Sequence, residues 1–171
     1  MVKISCIALD FDFTIAHFLG GTIGLMKIFQ KRGVPYAVAY SAWLKAERKG
    51  FTVKKCIENI AAAYPDYAER VRDEKDIEED VWQWVNEFLT LYPDSARFLK
   101  RWYNVLPLMI VTSGNKDFQT QKIYSLGIPF NEIFAVGLPG YKAETIGKLL
   151  ARFWSKILFV DDKPQELDEA G

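Results

Sequence analysis

The chain has 171 residues, of which 50% are hydrophobic and 26% are charged, a composition typical of a folded globular protein. Its 22 basic and 22 acidic residues cancel, so the charge balance does not favour a nucleic-acid partner or an anionic membrane. We find neither a cleavable leader nor an apolar stretch near the roughly 20 residues of a membrane helix, and we expect a cytoplasmic protein without membrane contact.

The first predicted element is a buried strand from Lys3 to Leu9, and Asp10-Phe11-Asp12-Phe13-Thr14 follows it directly. Three further near-continuous apolar runs predict buried strands at Leu106–Val111, Ile133–Val136 and Lys156–Val160. Such runs are typical of parallel strands that are buried on both faces, and amphipathic helical segments separate them. We therefore expect an α/β fold, a Rossmann-like parallel sheet with flanking helices.

The long interval from Thr14 to Asn104 contains no convincing strand, and its apolar residues recur at helical spacing. Glycines and prolines divide it into four or five predicted helices. An ordinary crossover needs far less chain, so we interpret the interval as an inserted α-helical subdomain. The predicted boundaries are 1–15 and 92–171 for the α/β core and 16–91 for the helical insertion.

Several other residues attract attention but are expected to be structural. Cys6 and Cys56 lack metal-ligand spacing and are predicted to be reduced core residues. The sole histidine, His17, is predicted to be a structural or flap residue and not a catalytic one. Packing is also the expected role of the aromatic residues in the insertion, which are Tyr36, Tyr40, Trp43, Trp82 and Trp84.

Polar side chains stand at the strand ends, where an open parallel sheet binds its ligands. Asp10 and Asp12 follow the first strand and point the same way, because strand side chains alternate faces. Like charges this close need a cation, a shared proton or a positive partner. The other strand ends contribute Thr112, Ser113, Gly114, Asp161 and Asp162, and Lys142 lies before the helix that leads to the final strand. Of these, the small polar residues after the second strand suit an anion bound by backbone N–H groups and a hydroxyl.

This set of residues suits phosphoryl transfer. A carboxylate can attack phosphorus to form an aspartyl phosphate, which divides one difficult hydrolysis into two steps. Four acids would repel a phosphate, so a hard divalent cation is needed, and Mg²⁺ suits oxygen ligands. Thr112 and Lys142 would bind the remaining phosphoryl oxygens, and the lysine would offset charge in the transition state.

These residues, in this order, resemble the motifs of the haloacid dehalogenase-like (HAD) hydrolase superfamily. Its first motif, DxDxT after a hydrophobic strand, matches Asp10 to Thr14, and its second, a Thr or Ser, matches Thr112. Lys142 is the best match to the third motif, and Asp161-Asp162 match the acidic pair of the fourth. The resemblance covers essentially the whole chain and implies a HAD-like core with a helical cap at 16–91 that closes over the site.

The resemblance also implies a role for each matching residue. Asp10 would be the nucleophile, and Asp12 the general acid/base that protonates the leaving oxygen and then activates water. The substrate phosphate would be bound by Thr112, Ser113, Gly114 and Lys142. The Mg²⁺ ligands would be Asp10, the main-chain carbonyl of Asp12, Asp161 and Asp162. Because the dehalogenases lack the second acid, Asp12 favours a phosphate over a haloacid substrate.

Two features depart from the family pattern. Phe13 stands where many members have glycine, and the sequence ends at Gly171, where the family's sheet usually gains at least one more strand.

Our leading interpretation is a Mg²⁺-dependent hydrolase of a small phosphorylated metabolite, with a small-molecule phosphate ester as partner and the oligomeric state left open. The same motifs permit a phosphomutase, and a non-catalytic or truncated binding protein is a third possibility. A phosphorylated receiver domain is disfavoured, because it would carry an acid on the third strand, where this chain has Phe134 to Gly137.

Overall fold

The structure, a computed structural model, describes residues 4–137, 141–154 and 156–170. The chain forms two compact units, one made of Met1–His17 with Thr90–Gly171 and the other of Phe18–Leu89. The strands are β1 (Ile4–Leu9), β2 (Ala16–Phe18), β3 (Leu89–Leu91), β4 (Leu108–Ser113), β5 (Glu132–Val136) and β6 (Lys156–Val160). The helices are α1 (Ile23–Lys31), α2 (Tyr36–Glu47), α3 (Val53–Ala63), α4 (Glu74–Phe88), α5 (Pro93–Trp102), α6 (Lys116–Ser125), α7 (Lys142–Phe153) and α8 (Pro164–Ala170), with a 3₁₀ helix at Pro65–Val71.

The first unit contains a four-stranded parallel sheet in the order β5-β4-β1-β6. Helices alternate with its strands along the chain, so the predicted α/β fold with a parallel sheet is confirmed. One face of the sheet is packed by α7 through Ile146 and Leu149, which join Cys6 and Val111 in a buried apolar cluster. This packing fixes the carboxyl ends of β1, β4 and β6 beside the N-terminus of α7.

β6 is less buried than its apolar sequence predicts. Ile157 and Phe159 pack against the apolar cluster, but Leu158 and Val160 are each 37% exposed. Since β6 lies at the edge of the sheet, the expectation of a strand buried on both faces is wrong here. β5, at the opposite edge, is half-buried along its whole length for the same reason. The second predicted strand also begins two residues later than expected, at Leu108.

The expectation that the interval from Thr14 to Asn104 lacks strands is also wrong. β2 and β3 pair with each other in a separate two-stranded sheet. The chain leaves the first unit at β2 and returns to it at β3. Each strand has only three residues, which is too short for an alternation of apolar and polar side chains to appear in the sequence.

The second unit is helical and contains α1 to α4 and the 3₁₀ helix. Thr52 and Asp73 cap α3 and α4, because their side-chain oxygens accept hydrogen bonds from backbone N–H groups of the first turn. Arg32, at the end of α1, forms ion pairs with Asp76 and Asp80 of α4. None of the described helices has the length and apolar character needed to cross a bilayer.

The aromatic residues of this unit are not all packed inside, as the sequence analysis expected. Trp84 is buried and stacks on Phe18 at 4.2 Å between ring centroids. Tyr36 and Tyr40 are exposed and stack on each other along α2, so the expectation of core packing is wrong for these two. Helical spacing places residues on one face of a helix, but it does not tell whether another element covers that face.

The cysteines match their prediction, because Cys6 and Cys56 are both buried and free. Burial raises the pKa of the Cys6 thiol to about 11 and that of Cys56 to about 12. Both thiols are therefore protonated and unreactive at neutral pH.

Gly24 provides a test of how tightly α1 packs against α4. A Cβ atom there would lie 2.1 Å from Nε1 of the buried Trp84 side chain. We expect Gly24→Ala to lower the free energy of unfolding by about 1–3 kcal/mol, because the bulky indole must shift. Gly147→Ala on α7 is the control, since its Cβ would meet nothing within 4 Å, and it should gain up to about 1 kcal/mol. Urea denaturation of both variants measures the two changes, and a stable Gly24→Ala protein would contradict the close contact.

Candidate functional site

The carboxyl ends of the parallel strands bring the sequence motifs together. β1 ends at Leu9, and the backbone N–H of the next residue, Asp10, donates to the Val160 carbonyl of β6 at 2.9 Å. β4 brings Thr112 and Ser113 to the same carboxyl end of the sheet, and α7 begins at Lys142. These residues are far apart in sequence, and the parallel order of the strands makes them neighbours.

Lys142 is the centre of this site. Its Nζ lies 2.7 Å from Oδ1 of Asp10 and 2.6 Å from Oδ2 of Asp161, and its side chain is 2% exposed. Burial lowers the pKa of Lys142, but the carboxylates of Asp10 and Asp161 outweigh it, and the net shift is upward. Lys142 is therefore a buried cation that holds two carboxylates side by side.

Asp10 is buried enough to change its acidity. Desolvation is the largest influence and raises the pKa of its carboxyl from the usual 3.8 to about 6, although the positive charge of Lys142 opposes the shift. The nearby Asp161 adds a smaller upward contribution by charge repulsion. The Asp10 carboxyl is thus less acidic than usual and is still mostly ionised at neutral pH.

A group of three carboxylates could hold a metal ion at this carboxyl end of the sheet. Asp10, Asp161 and Asp162 each offer an oxygen, and these oxygens all lie within 4.8 Å of one another. Thr14 organises the group, because its hydroxyl donates to Asp10 at 3.3 Å and accepts the N–H of Asp162 at 3.1 Å. Lys142 neutralises one of three negative charges, so a hard divalent cation fits the remaining charge and the oxygen donors.

Asp12 lies outside this group of three. Both oxygens of its carboxylate are 2.7 Å from Nζ of Lys122, and Oδ2 also accepts from Nε2 of Gln119 at 3.2 Å. Neither Lys122 nor Gln119 was predicted from the sequence to belong to the site. Both lie on the buried face of α6 next to Ile123, and this face is too polar to be recognised as buried from the sequence.

The residues at the end of β4 differ in their capacity to donate a hydrogen bond to an anion. Thr112 is buried, and the buried Oγ of Ser113 has no hydrogen-bond partner among the described residues. The N–H of Gly114 already donates to the Val136 carbonyl at 2.8 Å, so this structure does not support the expectation that it binds a phosphate. Instead, Gly114 leaves room for a neighbour, since a Cβ there would lie 2.8 Å from Nε2 of Gln119.

Two residues near the first motif have distinct environments. Phe13 has a left-handed backbone with φ of 62°, and its side chain is 62% exposed. His17 stacks on Tyr92 with ring centroids 4.3 Å apart, and its Nδ1 makes no hydrogen bond to a described residue. This packing agrees with the structural role expected for the histidine.

Solved structures of HAD hydrolases match nearly the whole chain. A 2-haloacid dehalogenase from Pseudomonas syringae pv. Tomato has a TM-score of 0.68 and 16% identity, and the match covers 99% of this chain and 84% of that one. YfnB from Bacillus subtilis, a HAD-type protein bound to magnesium, has a TM-score of 0.63 and 17% identity, with 99% and 84% covered. The chain has the haloacid dehalogenase-like fold.

A third match, a haloacid dehalogenase-like family hydrolase from Xanthomonas campestris, has a TM-score of 0.62 and 15% identity and covers 95% of this chain and 76% of that one. No family model matches the sequence, and no curated protein matches it either. The HAD-like fold is therefore established by structure, at identities too low to transfer an activity.

The raised pKa of Asp10 can be measured directly. In metal-free protein we expect the carboxyl carbon of Asp10 to titrate near pH 6 by ¹³C NMR, because burial penalises its charge. The native state then binds this proton more tightly than the unfolded chain does, so the Asp10 contribution to stability falls as pH rises from about 4 to 6. The Asp10→Asn spectrum assigns the signal, and a midpoint near 4 would contradict the desolvation.

Removal of Lys142 should expose the electrostatic cost of the buried acids. We expect Lys142→Met to lower the free energy of unfolding of the metal-free protein at pH 7 by about 3–5 kcal/mol, because Asp10 and Asp161 lose their buried cation. The loss should shrink toward pH 5, where protonation of Asp10 removes one of the charges. Lys148→Met is the matched control, since Lys148 pairs with Glu144 on the surface, where water screens the pair, and its loss should change stability far less. An equal, pH-independent loss in both variants would contradict the role of Lys142.

Proposed function

We propose that this protein is a Mg²⁺-dependent phosphatase that acts on a small phosphorylated metabolite through a phosphoenzyme at Asp10. The observation that carries the proposal is the group of Asp10, Asp161 and Asp162, with Asp10 and Asp161 paired to the buried Lys142 and Asp12 held separately two residues after Asp10. One carboxylate is thereby available for attack and another for proton transfer, as hydrolysis of a phosphate ester requires.

In the first step an Oδ atom of Asp10 attacks phosphorus, and the bond from phosphorus to the leaving oxygen breaks. Asp12 gives a proton to that oxygen, so the alcohol leaves uncharged. In the second step Asp12, now ionised, takes a proton from water, whose oxygen attacks the same phosphorus. The bond to Asp10 breaks, inorganic phosphate leaves, and both carboxyl groups return to their starting states.

Lys142, Thr112 and Ser113 would bind the phosphoryl oxygens during these steps. Lys142 contributes a positive charge that is almost completely buried. Because little water screens it, this charge would stabilise the negative charge of the transition state strongly. The unpartnered hydroxyl of Ser113 is a donor without an acceptor among the described residues, and an anion could satisfy it. Mg²⁺ bound by Asp10, the Asp12 carbonyl, Asp161 and Asp162 would supply further neutralisation of phosphate charge.

The separate position of Asp12 supports a phosphatase more than a haloacid dehalogenase. A halide leaves carbon as a stable anion and needs no proton, whereas an alkoxide leaving phosphorus does. Dehalogenases are among the proteins that share the fold, so fold alone does not separate the two reactions. A mutase uses the same first step and differs in the acceptor of the phosphoryl group.

A phosphate-ester panel with and without Mg²⁺ tests the proposal. We expect hydrolysis of p-nitrophenyl phosphate to depend on Mg²⁺ and to fall by at least about 1,000-fold in Asp10→Asn, which lacks the nucleophile. Lys148→Met should keep the wild-type rate, because Lys148 pairs with Glu144 on the surface. Asp10→Asn protein that turns over at the wild-type rate would refute the phosphoenzyme.

The same panel separates the alternatives by their products. Chloride release from 2-chloropropionate without phosphatase activity would identify a dehalogenase. Conversion of one hexose phosphate into another, without free phosphate, would identify a mutase. Folded wild-type protein that is inactive on every ester with Mg²⁺ present would point to the non-catalytic alternative.

A further inference from the structure

Two side chains of α6, Lys122 and Gln119, bind the Asp12 carboxylate. The two Asp12 oxygens share the ammonium group of Lys122 at 2.7 Å each, and the amide of Gln119 adds a bond to Oδ2 at 3.2 Å. The Lys122 side chain is 3% exposed, whereas that of Asp12 is 31% exposed. Asp12 is therefore open to solvent on one side and anchored by buried donors on the other.

The two donors are themselves fixed. Nε2 of Gln119 also donates to the main-chain oxygen of Ser113 at 2.8 Å, so both hydrogens of the amide have acceptors and the amide has one favourable orientation. Nζ of Lys122 lies 5.1 Å from the ring centroid of Phe11 and 5.9 Å from that of Phe118, which favours the cation at this place. Glycine at 114 keeps the space that Gln119 occupies.

We propose that Lys122 and Gln119 are positioning residues that hold Asp12 where it exchanges protons with the leaving oxygen and with water. The inference rests on the phosphatase function proposed above. Oδ2 accepts from both Lys122 and Gln119, whereas Oδ1 accepts from Lys122 alone and keeps a second lone pair that can face a substrate. Asp10 has its own lysine, Lys142, so the two carboxylates of the first motif are anchored independently.

This role has a chemical signature. Protonation by Asp12 matters for a strongly basic leaving group and matters little for one that is stable as an anion. Phenolate is more basic than p-nitrophenolate, and their phosphate esters have nearly the same shape. Misplacement of Asp12 should therefore slow formation of the phosphoenzyme far more from phenyl phosphate than from p-nitrophenyl phosphate, whereas general damage to the site would slow both equally.

The decisive variant is Lys122→Met, which keeps an apolar stem of similar length in the buried position. We expect kcat/KM for phenyl phosphate to fall about 100-fold and kcat/KM for p-nitrophenyl phosphate less than about 5-fold, because kcat/KM reports the steps up to formation of the phosphoenzyme and not the later attack of water. Lys148→Met, which removes a surface lysine also paired with a carboxylate, at 2.6 Å, should change neither rate. Equal losses on both esters, or no loss on either, would overturn the positioning role.

A double-mutant cycle tests whether Lys122 acts through Asp12. In an Asp12→Asn background, Lys122→Met should cause no further loss on phenyl phosphate, because the positioned group is already gone. A second 100-fold loss in that background would overturn the inference. If Lys122→Met fails to fold, Lys122→Gln keeps a donor without the charge and should give a smaller loss with the same preference for phenyl phosphate.

A crystal structure of Lys122→Met separates this inference from the proposed function. The Asp12 side chain is expected to change its rotamer once the two bonds from Lys122 are lost, whatever the protein hydrolyses. An unchanged Asp12 carboxylate would overturn the positioning role even in an active phosphatase. Wild-type protein inactive on all phosphate esters would reject the proposed function, and the movement of Asp12 would still decide whether Lys122 positions it.

Discussion

The rest of the site depends on the buried ion pairs of Lys142 with Asp10 and Asp161. Asp10 follows the central strand β1, and Asp161 follows its neighbour β6 at the edge of the sheet. Both carboxylates are almost out of contact with water, and each ion carries a desolvation penalty of several kcal/mol. One ammonium group within 2.7 Å of both offsets this cost only partly, as the raised pKa of Asp10 indicates. With Asp162 added, the group holds more negative charge than the protein neutralises, which is the condition under which a divalent cation binds.

The first motif places two chemically identical side chains two residues apart and gives them different surroundings. Asp10 is buried against Lys142, whereas Asp12 is partly exposed and held by Lys122 and Gln119. Two carboxylates in different environments can take different roles in one reaction, one as nucleophile and one as proton carrier. The division begins where β1 ends at Leu9: the N–H of Asp10 still bonds to the Val160 carbonyl of β6, whereas Asp12 lies beyond this bond.

Much of this arrangement could be predicted from the sequence, because apolar runs identify strands and parallel strand ends converge. The same rules could not reveal that β6 lies at an edge, since burial depends on which elements cover a strand and not on the strand's own residues. Lys122 was missed because it lies ten residues beyond Thr112, in a helix where a lysine is usually a solvated residue. Its contact with Asp12 depends on the angle at which α6 leaves the sheet, which no local pattern specifies.

Phe13 illustrates how tertiary bonds can override the preference of a single residue. A phenylalanine with φ of 62° has a conformation that costs about 1–2 kcal/mol for most side chains, and its exposed ring recovers little by burial. The turn is held instead by its neighbours: the N–H of Phe13 donates to the Ala16 carbonyl at 2.8 Å, and the Thr14 hydroxyl links Asp10 to Asp162. Because these bonds hold the chain around Phe13, the turn that follows Asp12 tolerates a strained backbone at a residue other than glycine.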